Sequence, residues 1–222
     1  MDENTTHAVT MRRSNAVRPS TSRLLGAILL LFPVAVLAQE ASGDGALALS
    51  EALRADQTAH LWRVGAWGAA NAVGGLALIA LSDSESQQVR RAFGIQSAAW
   101  GTINMGIAAV GLLRGAGEAS GDWATVHGAE NTYADILLVN LGLNVGYAAV
   151  GTTMMIAGSR GASNPDAWRG HGAALILQGA GLFVLDGIAY LASRQRLGAL
   201  VDLADSASLT ATASGVRLVV GL

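Results

Sequence analysis

The sequence contains no cysteine and no lysine, and it is poor in charge and in aromatics. The missing cysteines exclude disulfides, thiolate metal sites, cysteine nucleophiles and lipoprotein attachment together. They do not select a compartment, because a cysteine-free chain tolerates either redox state. Without lysine, every fixed positive side chain is arginine. In a chain rich in Ala and Gly this reads as coding bias rather than chemistry. A net charge of −2 leaves no basic field to attract nucleic acid. Only 14% of the residues are charged, where a soluble domain carries about 25%. Hydrophobic residues make up 51% and mean hydropathy is +0.40. This balance points to a membrane protein.

Chemical motifs are missing as well. There is no phosphate-binding Gly-Lys-Ser/Thr loop, no His-Glu-x-x-His and no Gly-x-Ser-x-Gly elbow. No catalytic, cofactor-binding or metal-binding residue is therefore assigned, no cofactor is expected, and a membrane enzyme ranks last among the function classes.

The first 38 residues have the form of an export signal. Arg12, Arg13, Arg18 and Arg23 make a positive leader, and Leu24 to Leu37 is an apolar run of 14 residues interrupted by Pro33. Val36-Leu37-Ala38 then presents small residues where a signal peptidase reads. Cleavage after Ala38 is expected, with Met11 as an alternative initiator; an uncleaved anchor helix is the competing reading. Residues 39–46 form a short Gly-rich lead-in. From there Leu49, Leu53, Gln57 and Leu61 fall at spacings of four, as on one side of a helix.

Four apolar stretches follow. Val64–Ser82, Ala92–Leu113 and Ile136–Ser159 are free of charge for 19, 22 and 24 residues, and Gly170–Ser193 is interrupted only by His171 and Asp186. At about 1.5 Å per residue each is long enough to cross a hydrocarbon core of about 30 Å. The expectation is an all-α membrane protein: a four-helix transmembrane bundle over residues 47–205, with spans near 62–82, 93–113, 134–157 and 170–192. Gly142-x-x-x-Gly146 and Gly111-x-x-x-Gly115 have a familiar packing spacing, but in a chain this rich in glycine the spacing alone does not select an interface. A cleaved signal puts Arg90, Arg91, Arg160 and Arg169 inside and only Arg114 in the outer connection, as the positive-inside rule asks. Both mature termini would lie outside the bacterial inner membrane.

Each stretch carries one carboxamide near its middle: Asn71, Asn104, Asn144 and Gln178. The first two share a phrase, Trp67-Gly68-x-x-Asn71 and Trp100-Gly101-x-x-Asn104. An amide in hydrocarbon must be hydrogen-bonded, so these four, with Trp67 and Trp100, are expected to form one polar layer. That layer serves either as interhelical glue or as the lining of a solute path. Asn71 and Asn144 are 73 residues apart, and Asn104 and Gln178 are 74 apart. The offsets suggest two helical hairpins repeated once in parallel orientation.

Asp186 is the one acid inside an apolar stretch, and such acids are functional candidates by default. Arg63 at the outer end of the first span is its expected partner. His127 and Glu130, three apart, with Asp122 and His60 nearby, have a spacing that can bind a metal, but a solvated outer face is the stronger reading. Helices 1, 3 and 4 are expected to run past the membrane. At about 35 residues and about 52 Å they would project roughly 20 Å on the outer side. Val216, Leu218, Val220 and Leu222 alternate with a period of two, which suggests a strand-like tail over 206–222. Such a strand could pair across a dimer, lie on the bundle or stay disordered.

The signal, the four helices and the repeated Trp-Gly-x-x-Asn phrase at Trp67–Asn71 and Trp100–Asn104 resemble an uncharacterised family of small bacterial membrane proteins. The third and fourth helices lack the leading Trp-Gly, with Leu141 and Leu175 in comparable places. The resemblance implies a four-helix integral membrane fold and brings no catalytic residues. The expected partners are membrane lipid and either a second copy of the chain or an unidentified membrane or periplasmic protein. The expected role is structural, in assembly or in interaction; the alternative is a small channel or transporter subunit using the amide layer and Asp186.

Overall fold

The computed structural model describes residues 21–206, 209–212 and 215–218, with side-chain packing from Gly43 to Ser206. Residues 1–38 and 39–222 form two compact units. Of the expected leader, Arg12, Arg13 and Arg18 lie outside the described residues. The elements are α1 (Thr21–Ala80), α2 (Gln88–Arg114), α3 (Trp123–Ser159), α4 (Pro165–Ser206), β1 (Leu209–Thr212) and β2 (Gly215–Leu218).

Helix boundaries follow from local chemistry. The Asp122 carboxylate caps α3 by accepting from the Thr125 amide at 2.9 Å. The side-chain hydrogen bond from Thr125, then this backbone one, hold the Asp122 carboxyl below its ordinary value. At the other end of α3 the chain reverses through Gly161, whose φ of 85° suits glycine. Pro165 then opens α4 at a position where a missing N–H does no harm. The expected lead-in at 39–46 is helical instead, as part of α1. Its Ala46 is fully buried, and Gly45 lies against the Leu203 side chain of α4. Packing there outweighs the poor helix propensity of glycine.

Glycine sets the closest helix approaches. A Cβ on Gly101 would lie 2.3 Å from the Ala72 nitrogen, and one on Gly75 would lie 2.5 Å from the Gly94 oxygen. The α1–α2 hairpin therefore closes backbone against backbone. Gly151 and Gly172 do the same between α3 and α4, and Gly170 meets the Val89 carbonyl of α2. The two Gly-x-x-x-Gly pairs singled out by spacing are not these contacts. Gly142, Gly146 and Gly115 face open space, and Gly111 meets only the Leu61 side chain. Spacing places residues on one helix face but does not say which face turns inward.

Around residues 46–53, 123–137 and 189–203 the core holds two apolar clusters beside the buried Glu130, Ser193 and Arg196. Leu53, Tyr133, Leu137 and Ala189 form one cluster, and Ala46, Val126 and Leu200 form a second. Here α1, α3 and α4 extend beyond the end of α2, and the Trp123 indole donates to the Leu200 carbonyl at 2.7 Å. Toward the middle the polarity inverts: carboxamides are buried, while Val73, Leu76, Ile107, Val139, Val184 and Leu191 are exposed. Among the described residues α3 and α4 are long and apolar enough to cross a membrane. The amides, indoles and glycines of α1 and α2 lower their mean hydropathy.

The tail holds a second strand that alternation had not marked. β1 pairs antiparallel with β2, Leu209 opposite Leu218 and Thr212 opposite Gly215. The strand around Val216 thus finds its partner a few residues upstream, in a segment where Thr210 and Thr212 favour extended backbone. Val220 and Leu222 lie outside the described residues.

Gly101→Val should force α1 and α2 apart and lower stability by about 2 kcal/mol, as overpacking does. Gly142→Ala should change it little or raise it by up to about 1 kcal/mol through helix propensity. Thermal unfolding of the detergent-solubilised variants by circular dichroism distinguishes them. The Asp122 cap makes its own pH signature. Its folded-state pKa is depressed, so its contribution is complete above the ordinary carboxylate range and is lost as pH falls through the lower folded value. Amide exchange at Thr125 should accelerate there in the native chain and be fast at every pH in Asp122→Ala.

Candidate functional site

The buried amides meet at one residue. Gln178 on α4 has no exposed surface. Its Nε2 donates to Asn71 Oδ1 at 2.6 Å, and its Oε1 accepts from Trp67 Nε1 at 3.0 Å. Asn104 Nδ2 donates to the same oxygen over a longer 3.4 Å. Asn71 Nδ2 closes the network on the Trp67 carbonyl at 2.8 Å. Gly181, one turn along α4 from Gln178, leaves the room the Trp67 ring occupies; a Cβ there would lie 2.3 Å from it. The Trp-Gly-x-x-Asn phrase of α1 thus has a defined use. Trp67 and Asn71 grip the two ends of one carboxamide, while Gly68 lets α2 approach at the Gly101 carbonyl.

The other two members of the expected layer turn elsewhere. Asn144 does not reach Gln178; its Nδ2 donates to Asp186 Oδ2 at 2.6 Å. Trp100 stacks obliquely on Tyr147 of α3, with ring centroids 4.7 Å apart. The layer is therefore a three-helix knot of Trp67, Asn71, Asn104 and Gln178, plus a separate α3–α4 bond. Helical phase explains the split. Gln178 and Asp186 share one face of α4 but stand two turns apart, and Asn144 lies level with the second.

Asp186 is 4% exposed, and its other oxygen lies 3.1 Å from His60 Nε2 on α1. The expected partner Arg63 is exposed and not bonded to it. His60, one turn before Val64, occupies the inward face that Arg63 leaves. An acid and an imidazole in contact, with an amide donor on the acid's far side, can exchange or share a proton and can orient a polar group.

These groups line a cavity of about 530 Å³. Its floor includes His60, Asn104, Asn144 and Asp186; its walls include Leu61, Val64, Ile107, Leu112, Ile136 and Leu143. It exists because α2 and α3 are not neighbours: no Cα of one lies within 8 Å of a Cα of the other. Both pack on α4 instead, and the Trp100–Tyr147 ring pair bridges them at one end.

Beyond the cavity, Glu130 overturns its reading as part of a solvated face. It is 0% exposed and is held by the Arg196 guanidinium, with Nε 2.7 Å from Oε2, and by the Ser193 hydroxyl. Arg196 also pairs with Asp56, so one guanidinium joins α1, α3 and α4. His127 faces away, stacked on Trp123 and beside Asn131. Among the described residues no group of three or more His, Asp or Glu side chains is placed to hold a metal ion. Sequence reasoning missed the His60–Asp186 and Glu130–Arg196 pairs. The available signal was that His60, Glu130 and Arg196 fall on the heptad-like inward positions defined by Leu53, Val126 and Leu200.

Gln178→Leu leaves the Trp67 indole, the Asn71 carbonyl and Asn104 without their partner, at roughly 1 kcal/mol or more for each stranded group. It should lower stability by about 2–4 kcal/mol. Asn104→Leu removes one long bond and should lose less than about 1 kcal/mol. Arg196→Met strands a buried carboxylate and should lose about 3 kcal/mol or more. Unfolding in a mixed-detergent titration gives the ranking.

No curated protein and no solved structure matches the chain. Membership of an uncharacterised family is shown directly. The family model described as "Family of unknown function (DUF6992)" matches residues 63–187, more than half of the chain, and the chain belongs to that family.

Proposed function

We propose that this chain is a four-span integral protein of the bacterial inner membrane, with a structural, assembly or interaction role. The observation that carries the reading is its inverted polarity. All four helices expose aliphatic side chains while burying their carboxamides: those of α1, α2 and α4 bond to one another, and that of α3 bonds to Asp186. Water would reward the opposite arrangement, whereas lipid rewards this one. The boundary between the two compact units falls after Ala38, in agreement with a signal removed at that point. Both termini of the remaining chain then lie outside, and the α1–α3–α4 end, tied internally by the Asp56–Arg196–Glu130 cluster, projects into the extracytoplasmic space and is available to a partner.

The amide knot acts as glue in this reading. Each of its donors is already engaged, and a permeating solute would have to break those bonds. The parallel-repeat reading keeps its support in the 73- and 74-residue offsets and in the glycine closure of both hairpins, although the closing glycines do not follow those offsets. A second reading, a small channel or transporter subunit, draws on one observation: the cavity reaches Asp186 and Asn104.

Topology reporters fused after Ser82, Glu118 and Ser163 should report inside, outside and inside. Any other order removes the four-span arrangement. Triple replacement of Asn71, Asn104 and Asn144 by Leu separates the two roles. Glue predicts an unstable bundle, and a pathway predicts a folded bundle with lost flux in proteoliposomes.

A further inference from the structure

Two side chains that line the cavity between α2 and α3 each carry a polar atom for which the protein supplies no partner. His60 is 7% exposed and Tyr133 is 9% exposed, and both line the cavity. The Nδ1 of His60 and the hydroxyl of Tyr133 are buried without a hydrogen bond. A buried polar group left unsatisfied costs about 1–3 kcal/mol. Two of them at one cavity point to something that enters and bonds to them. Water alone would answer the polar atoms but would leave the aliphatic walls wet.

The hydrogen-bond pattern selects the head of the ligand. His60 Nε2 faces Asp186 Oδ1 at 3.1 Å, so that nitrogen carries the hydrogen and, in the neutral ring, Nδ1 is a lone-pair acceptor. Tyr133 has a hydrogen to give. One hydroxyl answers both, donating to Nδ1 and accepting from Tyr133. If the imidazole is charged instead, the hydroxyl accepts from Nδ1–H and still bonds Tyr133. A carboxylate head would meet the Asp186 charge in a site of low polarity. An ammonium head has no lone pair for the Tyr133 hydrogen. The volume, about 530 Å³, suits one small amphiphile. The separation of α2 from α3 gives it a sideways entrance.

We propose that this cavity binds a lipid alcohol, an apolar body bearing one neutral hydroxyl, which enters from the bilayer between α2 and α3 and bonds His60 and Tyr133. The site rests on the membrane reading above, since only there does the entrance face hydrocarbon.

The full chain in phospholipid nanodiscs provides the test, with Trp100 in the cavity wall as reporter. A terminally brominated undecyl alcohol should quench Trp100 saturably, and about tenfold more tightly than the brominated alkane of the same length. The component assigned to the site is the quenching lost in Trp100→Phe. Tyr133→Phe removes an atom that lacks a partner in the empty protein. It should leave the melting temperature unchanged or higher while weakening the alcohol about fivefold. Equal quenching by alcohol and alkane, tighter binding of the brominated undecanoate, or unchanged affinity in Tyr133→Phe would each overturn the site. Protease protection of the empty nanodiscs is measured first. A chain that does not insert sinks both the site and the membrane reading, whereas an inserted chain without preference for the alcohol sinks the site alone.

Discussion

The bundle depends on one buried carboxamide. Apolar side chains in a Gly- and Ala-rich bundle define no unique register, because rotating a helix by one residue exchanges one aliphatic surface for another. Gln178 removes that freedom. Both of its polar atoms are bonded, to Asn71, Trp67 and Asn104, and these lie on two other helices. A turn of about 100° on α4, the angle between successive residues, would carry the amide out of reach of all three. The glycines act after that choice is made. Gly68, Gly75, Gly94 and Gly101 let α1 and α2 come together only in the phase that also turns Asn71 and Asn104 inward. Polar bonding and close packing thus select the same arrangement, and agreement between levels of this kind gives a sequence one structure.

The same amide breaks the symmetry that the sequence suggests. Two hairpins related by a repeat would place four carboxamides in one ring. A Gln side chain offers two N–H hydrogens and two lone pairs; the first hairpin takes three of these four. Asn144 is left to find Asp186, two turns further along α4, and α3 follows it. α3 also bonds to α4 and α1 through Glu130 and Arg196. Its separation from α2 is the geometric remainder, and the cavity fills that remainder.

The helical stretches were legible because their signal is local: each long charge-free run can be read without knowing any neighbour, whereas the helix limits extend beyond most of those runs. The amides at the centre were legible because a carboxamide in an apolar stretch must find a hydrogen-bond partner. Partner identity was less so. Arg63 and His60 stand one and four residues before the first apolar stretch, and the choice between them is one of helix rotation, which α4 decides. Glu130 read as a wet residue because its countercharge, Arg196, is 66 residues away in sequence. The same limit governs the Gly-x-x-x-Gly pairs: the spacing is real, but the face belongs to open space. The second tail strand was missed because a run of Leu-Thr-Ala-Thr carries little alternation, and its strand character comes from pairing with Gly215–Leu218.

The distribution of bonded and unbonded polar atoms divides the molecule along its length. At the level of Gln178 every donor of the knot has an acceptor, and a polar molecule gains nothing there without first breaking bonds. At the level of Glu130 a guanidinium and two carboxylates are mutually satisfied. Between them, around His60, Tyr133 and Asp186, the structure keeps both empty volume and unused hydrogen-bonding capacity. Close packing and polar satisfaction are the rule in protein interiors, and this is where the bundle departs from both together. The glycine closure of α2 on α1 and the bonds of α3 to α4 through Asn144–Asp186 and Glu130–Arg196 hold each helix on its own side of the gap. The energy that keeps the helices in register is therefore also what maintains the vacancy.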